Sequence, residues 1–146
     1  MFDPAKPSIA VAYVVDKQGR LLLTWNAKWG SFTLPMTKVH TDQPAETPEQ
    51  AAVRAAAEVL GVPTRVVPGK AAKYSRGLQN SSRDGDMKDY QYNVVPVEAH
   101  PDFASQNSSN QPILWAAIEK LQDGEYQPVS KSVEALLREC VQWGWI

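Results

Sequence analysis

Apolar positions along the chain fall into short runs separated by polar, turn-forming stretches. Ser8 to Val15 is a β-branched-rich apolar run and Arg20 to Trp25 is a second. With Asp16-Lys17-Gln18-Gly19 between them, the pattern predicts two strands closed as a hairpin. Ser31 to Leu34 predicts a further short strand that Pro35 interrupts, and Thr37 to Ala45 reads as a polar loop. From Glu46 to Leu60 the signals are helical. Thr47 suits the N-cap, Pro48 the first helical position, Glu49 the first turn, and Gly61 the terminator ahead of Pro63. The interior of that segment is dominated by alanine, the best helix former.

The second half is patterned less sharply. Arg65 to Tyr74 predicts strand material, Ser75 to Asp89 a long polar loop, Tyr90 to Val97 an alternating strand, and Asp102 to Pro112 another loop. A short helix is expected over Leu114 to Leu121 and a longer one over Lys131 to Val141, with Ser130 as N-cap. Strands, helix, strands and helices in that order predict an α+β or α/β sandwich.

Composition narrows the chemistry more than the fold. The chain has 146 residues, 43% hydrophobic and 21% charged, which suits one globular domain spanning 1–146. Its 15 basic and 16 acidic residues leave a formal charge of −1, so binding of nucleic acid through overall charge is not expected. One cysteine, Cys140, and two histidines, His40 and His100, argue against a disulfide framework and a zinc site. Neither a signal peptide nor an apolar run long enough for a membrane span is visible, so a cytoplasmic protein is expected. Chemistry would have to come mainly from carboxylates, hydroxyls and backbone.

One segment carries a more specific pattern. Leu34-Pro-Met-Thr-Lys-Val39, then Glu46, then Arg54-Ala-Ala-Ala-Glu-Val-Leu-Gly-Val62, resembles the Nudix hydrolase signature G-x5-E-x7-R-E-U-x-E-E-x-G-U, in which U is aliphatic. Glu46 and Arg54 have the required separation, and Glu58, Gly61 and Val62 fall in register behind them. The resemblance implies a Nudix-type α/β/α sandwich with a mixed central sheet. It also implies a site in which helix glutamates gather Mg²⁺ or Mn²⁺ around a diphosphate while water attacks phosphorus. Several positions depart from the pattern. Ala55 and Val59 stand in for the first and last helix glutamates, Met36 and Thr37 for the glycine pair, and the loop before Glu46 is about three residues longer. At about 100° per residue, Ala51, Ala55, Glu58, Val59 and Val62 share one side of the helix, leaving a single carboxylate there; Ala52, Val53, Ala56 and Leu60 form the opposing core stripe.

The resemblance implies Glu46, Arg54 and Glu58 as residual catalytic candidates. Trp29, Lys38, Glu58 and Tyr92 are candidates for ligand binding, and Glu58 with Glu98 for a metal. Each also has a plainer reading. Arg54 and Glu58 are spaced as an i,i+4 surface pair, and Glu46 sits favourably at a helix start. His40 is a possible proton carrier, and Cys140 reads as buried and inert. Trp143-Gly-Trp-Ile146 is an apolar chain end that should dock on its own domain or on a partner, and a homodimer is left open. The leading expectation is a Nudix-like protein that binds a nucleotide or another phosphorylated metabolite with little or no hydrolysis and requires no cofactor. One alternative is a divergent pyrophosphohydrolase, dependent on Mg or Mn, that splits a nucleoside diphosphate linked to another group. The other is a non-catalytic protein-interaction module.

Overall fold

The computed structural model describes residues 8–27, 30–40, 45–68, 73–80, 87–99, 112–126 and 129–145, with backbone alone for 73–80, 87–91, 131 and 132. Ser8–Tyr13 forms β1, and all six residues are buried. Such a two-sided apolar run belongs at the centre of a sheet covered on both faces. It pairs parallel with β7 (Met87–Ala99) and antiparallel with β4 (Met36–Lys38). On its other edge β7 carries β6 (Lys73–Asn80) and then β5 (Thr64–Val66), both antiparallel. Pro96, which has no N–H to give, lies in the gap between these two partners. A second sheet has the order β3-β2-β8, from Ser31–Thr33, Arg20–Asn26 and Ile113–Ala117.

Helix α1 (Pro48–Leu60) covers one side of this assembly, and α2 (Ile118–Gln122) and α3 (Lys131–Gln142) supply residues to the core on the other. The period of two in β1 divides its side chains between two cores. Ile9, Val11 and Tyr13 join Tyr92, Val94, Leu136 and Cys140, whereas Ala10, Ala12 and Val14 join Val95, Val97 and the alanines of α1. The mixed sheet between helices is the α/β/α arrangement expected above. Helix α1 also begins as the sequence implies, with Thr47 Oγ1 accepting from the Gln50 N–H and the Gln50 side chain accepting from the Thr47 N–H.

Four expectations need correcting. The hairpin of β1 and β2 closes only at its turn, where Val15 bridges Leu21 and the Asp16 and Leu22 N–H groups donate to Arg20 O and Val14 O; beyond it the two strands enter different sheets. The start of the expected 37–45 loop is strand, because Met36–Lys38 pairs with β1. Most of the expected 75–89 loop is also strand. There β6 and β7 pair from Lys73–Val94 out to Asn80–Met87, whereas β1 joins β7 only from Gln91 onward. Residues outside the region shared with β1 have no second partner strand among those described, so no apolar alternation marks them. Finally, Leu114 to Ala117 is strand, since β8 pairs along β2, and only Ile118–Gln122 turns helical. A compact apolar run has no decisive period of its own.

The chain end docks on its own core. The positive φ of Gly144, 78°, folds the tail back so that the Trp145 N–H reaches Cys140 O at 2.9 Å. The Trp145 ring then lies 5.1 Å from Tyr13 and 5.3 Å from Trp143. Burial pushes both the Tyr13 hydroxyl and the Cys140 thiol up to about 12, so neither ionises near neutral pH. Trp145 is half-buried, so Trp145→Ala is expected to cost about 2 kcal/mol and roughly 5–8 °C in thermal melting. Val141→Ser, at a position 48% exposed, should stay within about 0.5 kcal/mol of wild type. Equal melting temperatures for Trp145→Ala and wild type would refute the docking role.

Candidate functional site

The signature residues meet where β4 turns into α1. Alternate residues of a strand direct their N–H and C=O to opposite edges. The Val39 N–H donates to Ser8 O at 3.0 Å and the Ala12 N–H to Pro35 O at 2.8 Å, so the odd residues of β4 face β1. Lys38 and His40 therefore present their peptide groups to the outer edge, where a sheet is open to stray pairing. Two side chains occupy that edge. The Arg54 Nη2 donates to Lys38 O at 3.3 Å, and Glu46 Oε1 accepts from the His40 N–H at 3.0 Å. The Glu46 N–H completes the set by donating to His40 O at 3.0 Å.

Glu46 and Arg54 are in turn bound to each other, through Nη2 to Oε1 at 2.8 Å and Nε to Oε2 at 3.4 Å. The Glu46 carboxyl is held below its ordinary value of 4.5, chiefly by the Arg54 hydrogen bond; partial burial opposes this, and the His40 N–H and the charge of Arg54 add to it. The mutual bonds of His40 and Glu46 shut the base of the lengthened loop.

The other candidates are dispersed. Glu58 lies one turn beyond Arg54 and is 63% exposed, with Oε1 3.7 Å from Arg54 Nη1. Glu98 sits across from Arg65 on the β5–β7 ladder and is bound by it at 2.8 and 2.9 Å. Tyr92 is buried on the α3 side, among Ile9, Val94 and their neighbours, and therefore lies across the sheet from α1. The Lys38 side chain is exposed. Trp29 and His100 lie outside the described residues.

The helix side expected to border a pocket is instead packed. Ala51, Ala55, Val59 and Val62 are buried at 0%, 4%, 6% and 6% exposure, as are Ala52, Ala56 and Leu60 of the opposing stripe; Val53 is only half-buried. Ala51, Ala52, Ala56, Val59, Leu60 and Val62 share one core with Ala10, Ala12, Val14, Val95 and Val97, so the buried arc is wider than one stripe. Magnesium needs several hard oxygen ligands in near-octahedral order. The described residues do not fit it: Ala55 and Val59, where the signature has glutamates, are buried, Glu46 is committed to Arg54 and Glu98 to Arg65. No group of three or more His, Cys, Asp or Glu among the described residues is placed to hold a metal.

The NUDIX domain model matches residues 4–140. The chain belongs to the Nudix family. Solved structures give the same fold at low identity. The MutT protein of Methanosarcina mazei Go1 is 18% identical, with 97% of this chain and 99% of that one covered at a TM-score of 0.66. The ORF135 protein of E. coli is 20% identical, over 91% and 86%, at 0.61. A Nudix hydrolase from M. smegmatis, RenU, is 20% identical, over 95% and 85%, at 0.58. No curated protein matches.

Sequence reasoning missed Asn93 and Ser8, which hydrogen-bond each other on the α1 side of the sheet. The available signal was an amide inside the otherwise apolar run Asn93 to Val97. For the Glu46–Arg54 clasp, a carboxyl held below its unfolded value stabilises the fold above the unfolded value and loses that contribution as pH falls through the folded one. Glu46→Gln should therefore lower stability by about 1–2 kcal/mol at neutral pH, with the gap closing below about pH 4. Chemical denaturation at several pH values checks this. A gap unchanged down to pH 3 would show that ionised Glu46 is not what holds the junction.

Proposed function

We propose that this Nudix protein binds a nucleotide or another phosphorylated metabolite without metal-dependent hydrolysis of a diphosphate. One observation carries the reading. The helix positions at which the signature places its first and last glutamates are Ala55 and Val59, and both are packed against the protein interior. A side chain buried in hydrocarbon contact neither ligates a hard cation nor leaves room for one. The relatives named above as hydrolases support the fold. Their activity belongs to them, and the residues that would carry it differ here. What remains at the junction is a rigid clasp with the exposed Lys38 and Glu58 beside it, a frame suited to holding a ligand in place.

The discriminating test is a panel of nucleoside triphosphates, dinucleoside polyphosphates and nucleotide sugars, incubated with Mg²⁺ or Mn²⁺ and, separately, titrated by calorimetry. Saturable binding of at least one class is expected, with product formation no greater than for Glu58→Gln. Metal-dependent turnover abolished by Glu58→Gln would instead establish the divergent hydrolase. Absence of binding to every class would favour an interaction module. A second expectation concerns the helix itself. Ala55→Glu/Val59→Glu should lose about 4 kcal/mol or more, because two carboxylates would enter a packed face unpaired. A stable double variant that gains Mn²⁺ affinity would contradict the burial argument.

A further inference from the structure

The larger sheet ends at β4, the first strand in the order β4-β1-β7-β5. A terminal strand offers a row of N–H and C=O groups onto which another strand can add. The bonds from the Val39 N–H to Ser8 O and from the Ala12 N–H to Pro35 O commit the odd residues to β1, so Met36, Lys38 and His40 turn their peptide groups outward. Three of those groups are already bound. Lys38 O accepts from Arg54 Nη2 at 3.3 Å, the His40 N–H donates to Glu46 Oε1 at 3.0 Å, and His40 O accepts from the Glu46 N–H at 3.0 Å. Because Arg54 Nη2 also holds Glu46 Oε1 at 2.8 Å, the two side chains form one cover. The β3 edge of the second sheet is closed by main chain instead: Phe32 bridges Val129, and its carbonyl accepts from the Ser130 N–H at 2.9 Å.

The outward row of β4 is self-complementary. A two-fold axis through Lys38 would set Lys38 against its own copy as a hydrogen-bonded pair, and Met36 of each copy against His40 of the other. A second copy of this chain is therefore sufficient to continue the sheet. The exposed Lys38 side chain opposes that pairing, since like charges directly across a ladder repel, and lysine on an edge strand discourages strand addition generally.

We propose that Glu46 and Arg54 form an edge guard: by occupying the outward peptide groups of Lys38 and His40, they keep a second copy of this chain from adding to the sheet as an antiparallel strand across a two-fold axis. The charge of Lys38 acts in the same direction. The guard requires neither a cation nor a bound ligand, so it stands independently of the function proposed above.

The test is the self-association of Glu46→Ala/Arg54→Met, which removes both covering side chains. Analytical ultracentrifugation of the full chain, with circular dichroism to verify the fold, should show at least about tenfold more dimer than wild type at equal concentration. Adding Lys38→Pro should return the dimer to the wild-type level. Proline is tolerated where the N–H of an edge strand faces outward, and it cannot donate to a second copy. Adding Lys38→Thr should instead raise dimerisation further, because the opposed charges are gone. If the double variant does not fold, Arg54→Met alone decides: it frees Lys38 O at the centre of the pairing and should give about threefold more dimer, again cancelled by Lys38→Pro. A folded variant no more associated than wild type would overturn the guard, and so would association that Lys38→Pro leaves unchanged.

Discussion

The arrangement of this molecule around its signature segment depends on the carboxylate of Glu46. It faces the guanidinium of Arg54 and the amide of His40, while its own backbone N–H closes on the His40 carbonyl. These bonds seat α1 against β4 and cover peptide groups at the edge of the larger sheet. An exposed ion pair contributes little to stability. This one is largely shielded, with 14% of the Glu46 side chain exposed, and it satisfies backbone groups that would otherwise face outward. Of the signature residues retained here, Glu46 and Arg54 fasten the helix to the sheet, and Glu58 stands exposed beyond them.

The rest of α1 follows from that placement. Alanine at 51, 52, 55 and 56 allows close approach, and Val59, Leu60 and Val62 complete a dry contact with Ala10, Ala12, Val14, Val95 and Val97. The same surface cannot be both closely packed and acidic. Polarity on the α1 side is displaced instead to Ser8 and Asn93 at one end of the first sheet and to Thr24, Ser31 and Thr33 on the second.

Much of this was legible in the sequence where local and global signals agreed. Thr47, Pro48 and Gly61 define α1 by capping chemistry alone, whereas the sequence pointed Arg54 to Glu58 at i,i+4, and the structure holds it more closely on Glu46, at 2.8 Å against 3.7 Å. The apolar run of β1 marked a central strand. Legibility failed where partner strands decided the outcome. Nothing in Asp16 to Gly19 says that the flanking strands enter different sheets, and Leu114 to Ala117 becomes strand because β2 offers it a ladder. Helical periodicity separated a core stripe from a pocket side on α1, but it could not foresee how closely an alanine helix approaches its sheet. Strand alternation left Tyr92 free to face either core or pocket; the register puts it in the α3-side core and Asn93 on the other face.

Arg54 of α1 fastens the helix to Glu46, and the function proposed above requires that no catalytic cation is held there. The most direct measurement is a titration of the folded protein with Mn²⁺, followed by paramagnetic broadening of its backbone amide resonances. No saturating site is expected below about millimolar Mn²⁺, and at most weak, non-saturating broadening beside exposed Glu58. Stoichiometric broadening centred on Glu46, Glu58 and their neighbours at micromolar Mn²⁺ would contradict it, because it would mean that the clasp opens to bind metal.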